Sequence, residues 1–203
     1  MRMTPGNPRQ SDTGLSNLLH EIRSCTACAP LLPLGANPIL RAHASARVLL
    51  VGQAPGTRVH ATGIPWNDPS GDKLLEWLGV SRAQFYDESI FAIIPMGFCY
   101  PGRGKGGDKP PRPECAPLWH AKLRALLPQV KLTLLIGAYA IARYLPGSAR
   151  LPLTECIKKA DFAQSPVLPL VHPSPRNKLW LKRNPWFESG LVPVLQKRLR
   201  ALT

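Results

Sequence analysis

The sequence predicts an α/β protein: a three-layer α/β/α sandwich around a central four-stranded parallel sheet. Three observations carry this reading. Four short runs are almost wholly apolar, helical patterns separate them, and 203 residues at 44% hydrophobic content suit one domain with a sizeable core and no internal repeat.

The four runs are Val48–Gly52 (VLLVG), Ile90–Met96 (IFAIIPM), Leu132–Gly137 (LTLLIG) and Val167–His172 (VLPLVH). Apolar runs of this length, without polar alternation, suit strands covered on both faces, as in a parallel sheet. Helical spacing appears at Leu15–Arg23, Asp72–Leu78, Ala116–Leu127, Ala138–Tyr144 and Trp186–Leu202. Alternating strands and helices imply right-handed crossovers. Residues 1–14 (MRMTPGNPRQSDTG), polar and containing Pro and Gly, are expected to form a flexible tail, with a single domain over residues 15–203. The Gly/Pro/Lys/Arg stretch Tyr100–Pro113 is expected to be a long surface loop.

Composition narrows the function classes. No apolar run reaches the roughly 20 residues a membrane helix needs. The N-terminus lacks the apolar core of a secretory signal, so a cytoplasmic monomer without membrane contact is expected. With 26 Lys and Arg against 12 Asp and Glu, the formal net charge is +14. Such an excess favours a polyanionic partner, because each phosphate met by a cation releases counterions. Five cysteines in such a chain argue against a disulfide framework. Cys25 and Cys28 form a C-x2-C pair, with Cys99 and Cys115 far downstream, a spacing that points to a metal. Cys156 reads as a small buried hydrophobe.

In open parallel sheets ligands bind at the carboxyl ends of the strands. Here the first strand runs into GQAPG (Gly52–Gly56), the second into Gly97-Phe98-Cys99 and the fourth into HPSPRN (His172–Asn177). Taken alone, GQAPG fits a tight turn equally well, yet its glycines permit a flat ligand to approach backbone N–H groups, and Gln53 both donates and accepts. His172, at a strand end, is a candidate hydrogen-bond donor to a developing oxyanion, or a satisfied structural histidine. Ser174, Arg176 and Asn177 sit on a proline-stiffened tip suited to a phosphate or a base step. Between them, Thr62–Gly71 (TGIPWNDPSG) offers Trp66 for stacking a base, Asn67, and Asp68 as a candidate water activator; a packed Trp and an Asx-turn are the plainer alternative.

Taken together and in this order, GQAPG, PWNDPSG and HPSPRN resemble the uracil-DNA glycosylase superfamily, nearest to the iron–sulfur branches numbered families four and five. The resemblance spans nearly the whole chain. It implies that Cys25, Cys28, Cys99 and Cys115, with fifteen residues between the last two, hold a [4Fe–4S] cluster, zinc being the chemical runner-up. It implies DNA carrying a damaged or deaminated base as substrate, and hydrolytic excision of that base. Gly52, Gln53, Ala54, Trp66 and Asn67 would contact the base, Asp68 and His172 would be catalytic, and Ser174, Arg176 and Asn177 would engage DNA, Arg176 as a wedge. Two positions depart from the pattern. Ala54 stands where the family-one enzymes have an Asp, and Pro95 stands where related iron–sulfur enzymes carry the Asn that reads uracil. The alternative these departures leave open is a catalytically weak or inactive glycosylase-fold protein that binds DNA or senses damaged bases.

Overall fold

The computed structural model describes residues 8–145 and 147–203, the side chains of 8–12 and of Ala149 excepted. Half of the expected N-terminal tail, residues 1–7, therefore lies outside the described residues, and the other half is helical: α1 runs over Pro8–Arg23, longer than the Leu15–Arg23 pattern. Four strands form the main sheet: β1 (Val48–Val51), β2 (Phe91–Ile93), β5 (Leu132–Ile136) and β6 (Val167–Leu170). Their order is β2-β1-β5-β6 and all three pairings are parallel, with Leu50 opposite Ile93 and Leu134, and Leu134 opposite Leu168. The predicted fold class is therefore the observed one.

The absence of polar alternation in the strands has the expected cause. Leu49, Val51 and Leu135 point into one core, which α1, α5 (Cys115–Ala125) and α6 (Ala138–Tyr144) cover. Val48, Leu50, Leu132, Leu134 and Leu168 point into the other, against α3 (Pro69–Leu78) and α9 (Val192–Arg200). Both faces are dry, and each fully buried Leu or Val contributes about 1.5–3 kcal/mol of transfer free energy.

Several elements were not legible in the sequence. Helices α2 (Thr57–Thr62), α4 (Arg82–Phe85), α7 (Leu153–Lys159) and α8 (Lys178–Arg183) are too short to show a period. The stretch Tyr100–Pro113 is a surface segment but not featureless: β3 (Arg103–Gly104) pairs antiparallel with β4 (Gly107–Asp108), Arg103 facing Asp108. The single closing helix expected over Trp186–Leu202 is a π-helical turn, Phe187–Leu191, leading into α9. Pro193 lies in the first turn of α9, where its missing N–H and its ring disfavour an unbroken α-helical ladder through this point. Cys156 is buried, as expected, its thiol directed at the Ser148 and Leu151 carbonyls.

One polar group is built into the first core. His120 is 3% exposed, stacked on Phe98 and Tyr144; Nε2 bonds the Pro95 carbonyl at 3.1 Å and Nδ1 bonds the Tyr144 hydroxyl. Burial pushes its pKa down to about 4, outweighing the Pro95 bond that favours the charged form. The native state thus stays neutral where the unfolded chain, near 6.5, binds a proton. Stability is therefore fully present above about pH 6.5 and falls as pH drops toward 4, by up to roughly 3 kcal/mol from this residue. Urea unfolding midpoints measured from pH 7.5 to 4.5 should fall for the wild type and fall less for His120→Gln; parallel curves would remove His120 as the cause.

Candidate active site

The site is assembled where β1, β2 and β6 end. Past Val51 the pairing continues through the backbone, Met96 N–H donating to the Gly52 carbonyl at 2.9 Å and Gly97 N–H to the Gln53 carbonyl at 3.0 Å. The GQAPG loop is thereby held as an extension of the sheet. Gly56 then caps α2, which ends at Gly63 in the left-handed region that suits a glycine.

The next turn sets the geometry of the pocket. Trp66 itself adopts φ 58°, a conformation that costs a bulky residue about 1–3 kcal/mol. Three features hold it there. A Cβ on Gly52 would stand 2.9 Å from the indole, a Cβ on Gly71 would stand 1.7 Å from the Trp66 carbonyl oxygen, and the Tyr86 hydroxyl donates to the Pro65 carbonyl at 2.9 Å. Only residues without side chains permit this packing. Asp68 follows as the N-cap of α3, its Oδ1 accepting from Gly71 N–H at 2.9 Å, with Pro69 at the helix start.

From the opposite side, β6 delivers His172. Asn177 Nδ2 donates to the His172 carbonyl at 2.7 Å, and Ser174 Oγ accepts from Arg176 N–H at 3.3 Å, which sets the HPSPRN loop as a rigid turn. The Trp66 and His172 rings lie 5.5 Å apart, tilted by 33°. Burial lowers the His172 pKa, against the opposing pull of the Asp68 charge, so the imidazole is neutral at neutral pH. Its Nδ1 is buried with no partner among the described residues, so the nitrogen open to the cavity is Nε2.

Trp66, Asp68 and His172 thus face one cavity of about 540 Å³, within the range of small-ligand sites. Gly52, Gln53, Ala54, Ser174, Arg176 and Asn177 line the same cavity; Asn67 does not. Arg176 is exposed but lies across the hairpin, its guanidinium occupying the space where a Gly107 side chain would stand. Pro95 lines the wall, its carbonyl taken by His120. The sequence reading missed Asp108, which β4 brings to the cavity rim. The available signal was one acidic residue in an otherwise basic Gly/Pro stretch.

The four cysteines also converge. Cys25, Cys28, Cys99 and Cys115 line one small cavity of about 20 Å³ beside Leu32, Phe98 and Trp119. Phe98 N–H donates to the Cys115 sulfur at 3.4 Å, and Cys28 lies 3.8 Å from Glu114, which Arg112 binds through Nη2 at 2.6 Å. Burial raises the Cys28 and Cys99 thiols and pushes Cys115 up to about 12, so without a cation beside them these sulfurs hold their protons. Among the described residues, no three His, Cys, Asp or Glu side chains are drawn together as a single-ion site.

Substitutions at two positions separate structure from charge at the pocket. Asp68→Ala should lose the helix cap and about 0.5–2 kcal/mol of stability, whereas Asp68→Asn should keep most of it, since Asn caps equally well. Gly71→Ala should cost about 1–3 kcal/mol or more, because backbone rather than a flexible side chain must move. Chemical denaturation checks all three; an unperturbed Gly71→Ala would contradict the packing described.

A model of the uracil DNA glycosylase superfamily matches residues 41–196, a span that takes in the sheet, the GQAPG, PWNDPSG and HPSPRN loops, Cys99 and Cys115. No described helix is long and apolar enough to cross a membrane. With a parallel sheet whose carboxyl edge carries a stacking indole, a carboxylate and a neutral imidazole around one cavity, the chain belongs to the uracil DNA glycosylase superfamily.

Proposed function

We propose that this protein excises uracil or another deaminated base from DNA by hydrolysing the N-glycosidic bond, initiating base-excision repair. The observation that carries the reading is the convergence of Trp66, Asp68 and His172 on one cavity sized for an everted nucleobase. Exposed cations lie on the two segments that flank the cavity-lining residues Asp108 and Asn177: Arg103, Lys105 and Lys109 in the hairpin segment and Lys178, Lys182 and Arg183 on α8. They supply the sequence-independent grip on phosphates that a net charge of +14 implies.

The reaction follows from the geometry. The damaged nucleotide leaves the stack, most cheaply at a mismatch, and its base slides against the Trp66 indole. As the bond lengthens, positive charge grows on the sugar and negative charge on the base. His172, neutral because it is buried, donates from Nε2 to the base anion; that tautomer leaves Nδ1 as a bare acceptor rather than a buried unpaired N–H. Asp68, half-buried beside it, stabilises the sugar cation and orders water through the oxygen not engaged by Gly71. Gln53 and the GQAPG backbone meet the base edge, and Arg176 would enter the duplex by swinging off Gly107.

The four thiols fit an iron–sulfur group. They share one largely apolar cavity, and a backbone N–H already points at Cys115. A single zinc would instead need four sulfurs about 2.3 Å from one point. Cys25, Cys28, Cys99 and Cys115 would therefore hold a [4Fe–4S] cluster, which when bound joins the end of α1 to the hairpin segment without taking part in hydrolysis. Protein purified without oxygen should carry about four irons per chain, and Cys99→Ala should lose them; one zinc per chain in the wild type would identify the other metal.

A second reading, a DNA-binding protein with little or no excision activity, is favoured by Ala54 and Pro95, which remove an Asp and a base-reading Asn from the pocket walls. Single-turnover assays on oligonucleotides carrying uracil, hypoxanthine or xanthine decide between the two. Excision of at least one base is expected, with His172→Ala slower by about 10²–10³. Binding without any abasic product would support the second reading.

A further inference from the structure

Hydrolysis of an N-glycosidic bond needs an acceptor for the proton of the attacking water, and the carboxylate best placed for that task is not the one the motifs single out. Asp68 has one oxygen committed to the Gly71 N–H, and its charge is felt by His172, at the end of the pocket where negative charge collects on the base. The GQAPG loop adds no acid, since Ala54 and Gly56 carry none. Among the described residues, the cavity is lined by one other carboxylate, Asp108.

Asp108 reaches the cavity from the hairpin, beside the GQAPG loop. Its Oδ2 stands 3.4 Å from where a Gly56 Cβ would lie, so it hangs over the bare backbone of that loop. The hairpin that carries it is fixed to the pocket at two points: Gln53 Nε2 donates to the Lys109 carbonyl at 3.3 Å, and Arg176 packs on Gly107. A third bond, Lys109 N–H to the Gly102 carbonyl at 2.8 Å, closes the base of the hairpin. The Asp108 side chain is exposed at the rim and has no hydrogen-bond or ion-pair partner among the described residues. An unpaired carboxylate at the mouth of a site for a polyanion opposes ground-state binding. It is favourable only where positive charge appears during the reaction, and the sugar of an everted nucleotide, its base being innermost, lies at that mouth.

We propose that Asp108 is a second catalytic residue, the general base that takes the proton of the attacking water at the pocket mouth; this rests on the glycosylase reading and deepens it. The water oxygen bonds to the anomeric carbon as the carbon–nitrogen bond breaks, the electron pair of that bond leaves with the base, and the water proton passes to the Asp108 carboxylate and then to the released base anion. The products are a free base and an abasic sugar, with Asp108 returned as a carboxylate. Asp68 stabilises the cation.

The test uses the full chain with whichever deaminated base the wild type excises. Asp108→Asn should lower the single-turnover rate by about 10²–10⁴. It should bind the same oligonucleotide as tightly as the wild type or more tightly and unfold at an unchanged temperature. Asp108→Glu should recover part of the rate. A rate for Asp108→Asn within threefold of the wild type, or a slower rate matched by an equal loss of oligonucleotide binding, would overturn the role while leaving the glycosylase reading intact. A wild type that releases no base from any substrate would overturn both, and the two failures are told apart by the wild-type lane alone.

Discussion

The pocket depends on the close approach of Trp66 to two glycines. A tryptophan in the left-handed region is a strained element, and the strain persists only because the surroundings leave it no alternative. Gly52 gives the indole room against the end of β1, and Gly71 lets the first turn of α3 ride over the Trp66 carbonyl. The same packing sets the ring against His172 and brings Asp68 to the head of α3. Stacking surface, carboxylate and imidazole are therefore not three independent placements. They follow from one backbone conformation, so a small error at Gly52 or Gly71 would propagate to every group in the site.

The sheet supplies the rigidity that makes such a turn affordable. Both of its faces are covered, and strands with no wet side cannot slip register without exposing a row of Leu, Ile and Val. All four strands run in the same direction, so their carboxyl ends lie along one edge, and the loops that carry chemistry leave from that edge together. The hydrogen bonds of Met96 and Gly97 to the GQAPG backbone extend this order one step beyond the strands.

A second line of contacts connects the cysteine cavity to the pocket. Cys99 and Cys115 bracket the hairpin segment, and the hairpin reaches the cavity through Asp108, through Lys109 on Gln53 and through Gly107 beneath Arg176. The segment between Cys99 and Cys115 thus contributes to the lining of both cavities. The interior keeps two histidines neutral, His120 and His172 both being lowered by burial.

The sequence by itself determined the sheet, its parallel sense and the edge where the cavity-lining loops gather, because apolar runs without alternation admit few other arrangements. It also singled out three loops that line the cavity, GQAPG, PWNDPSG and HPSPRN, through the glycines and prolines in them. Only the tertiary structure decided the left-handed Trp66, the place of Asn67 outside the cavity, the Arg176 guanidinium laid on Gly107, and the arrival of Asp108 at the rim. Each of these depends on contacts between segments far apart in the chain, and neither periodicity nor spacing records which distant backbone will come near enough to require a glycine or to present an acid.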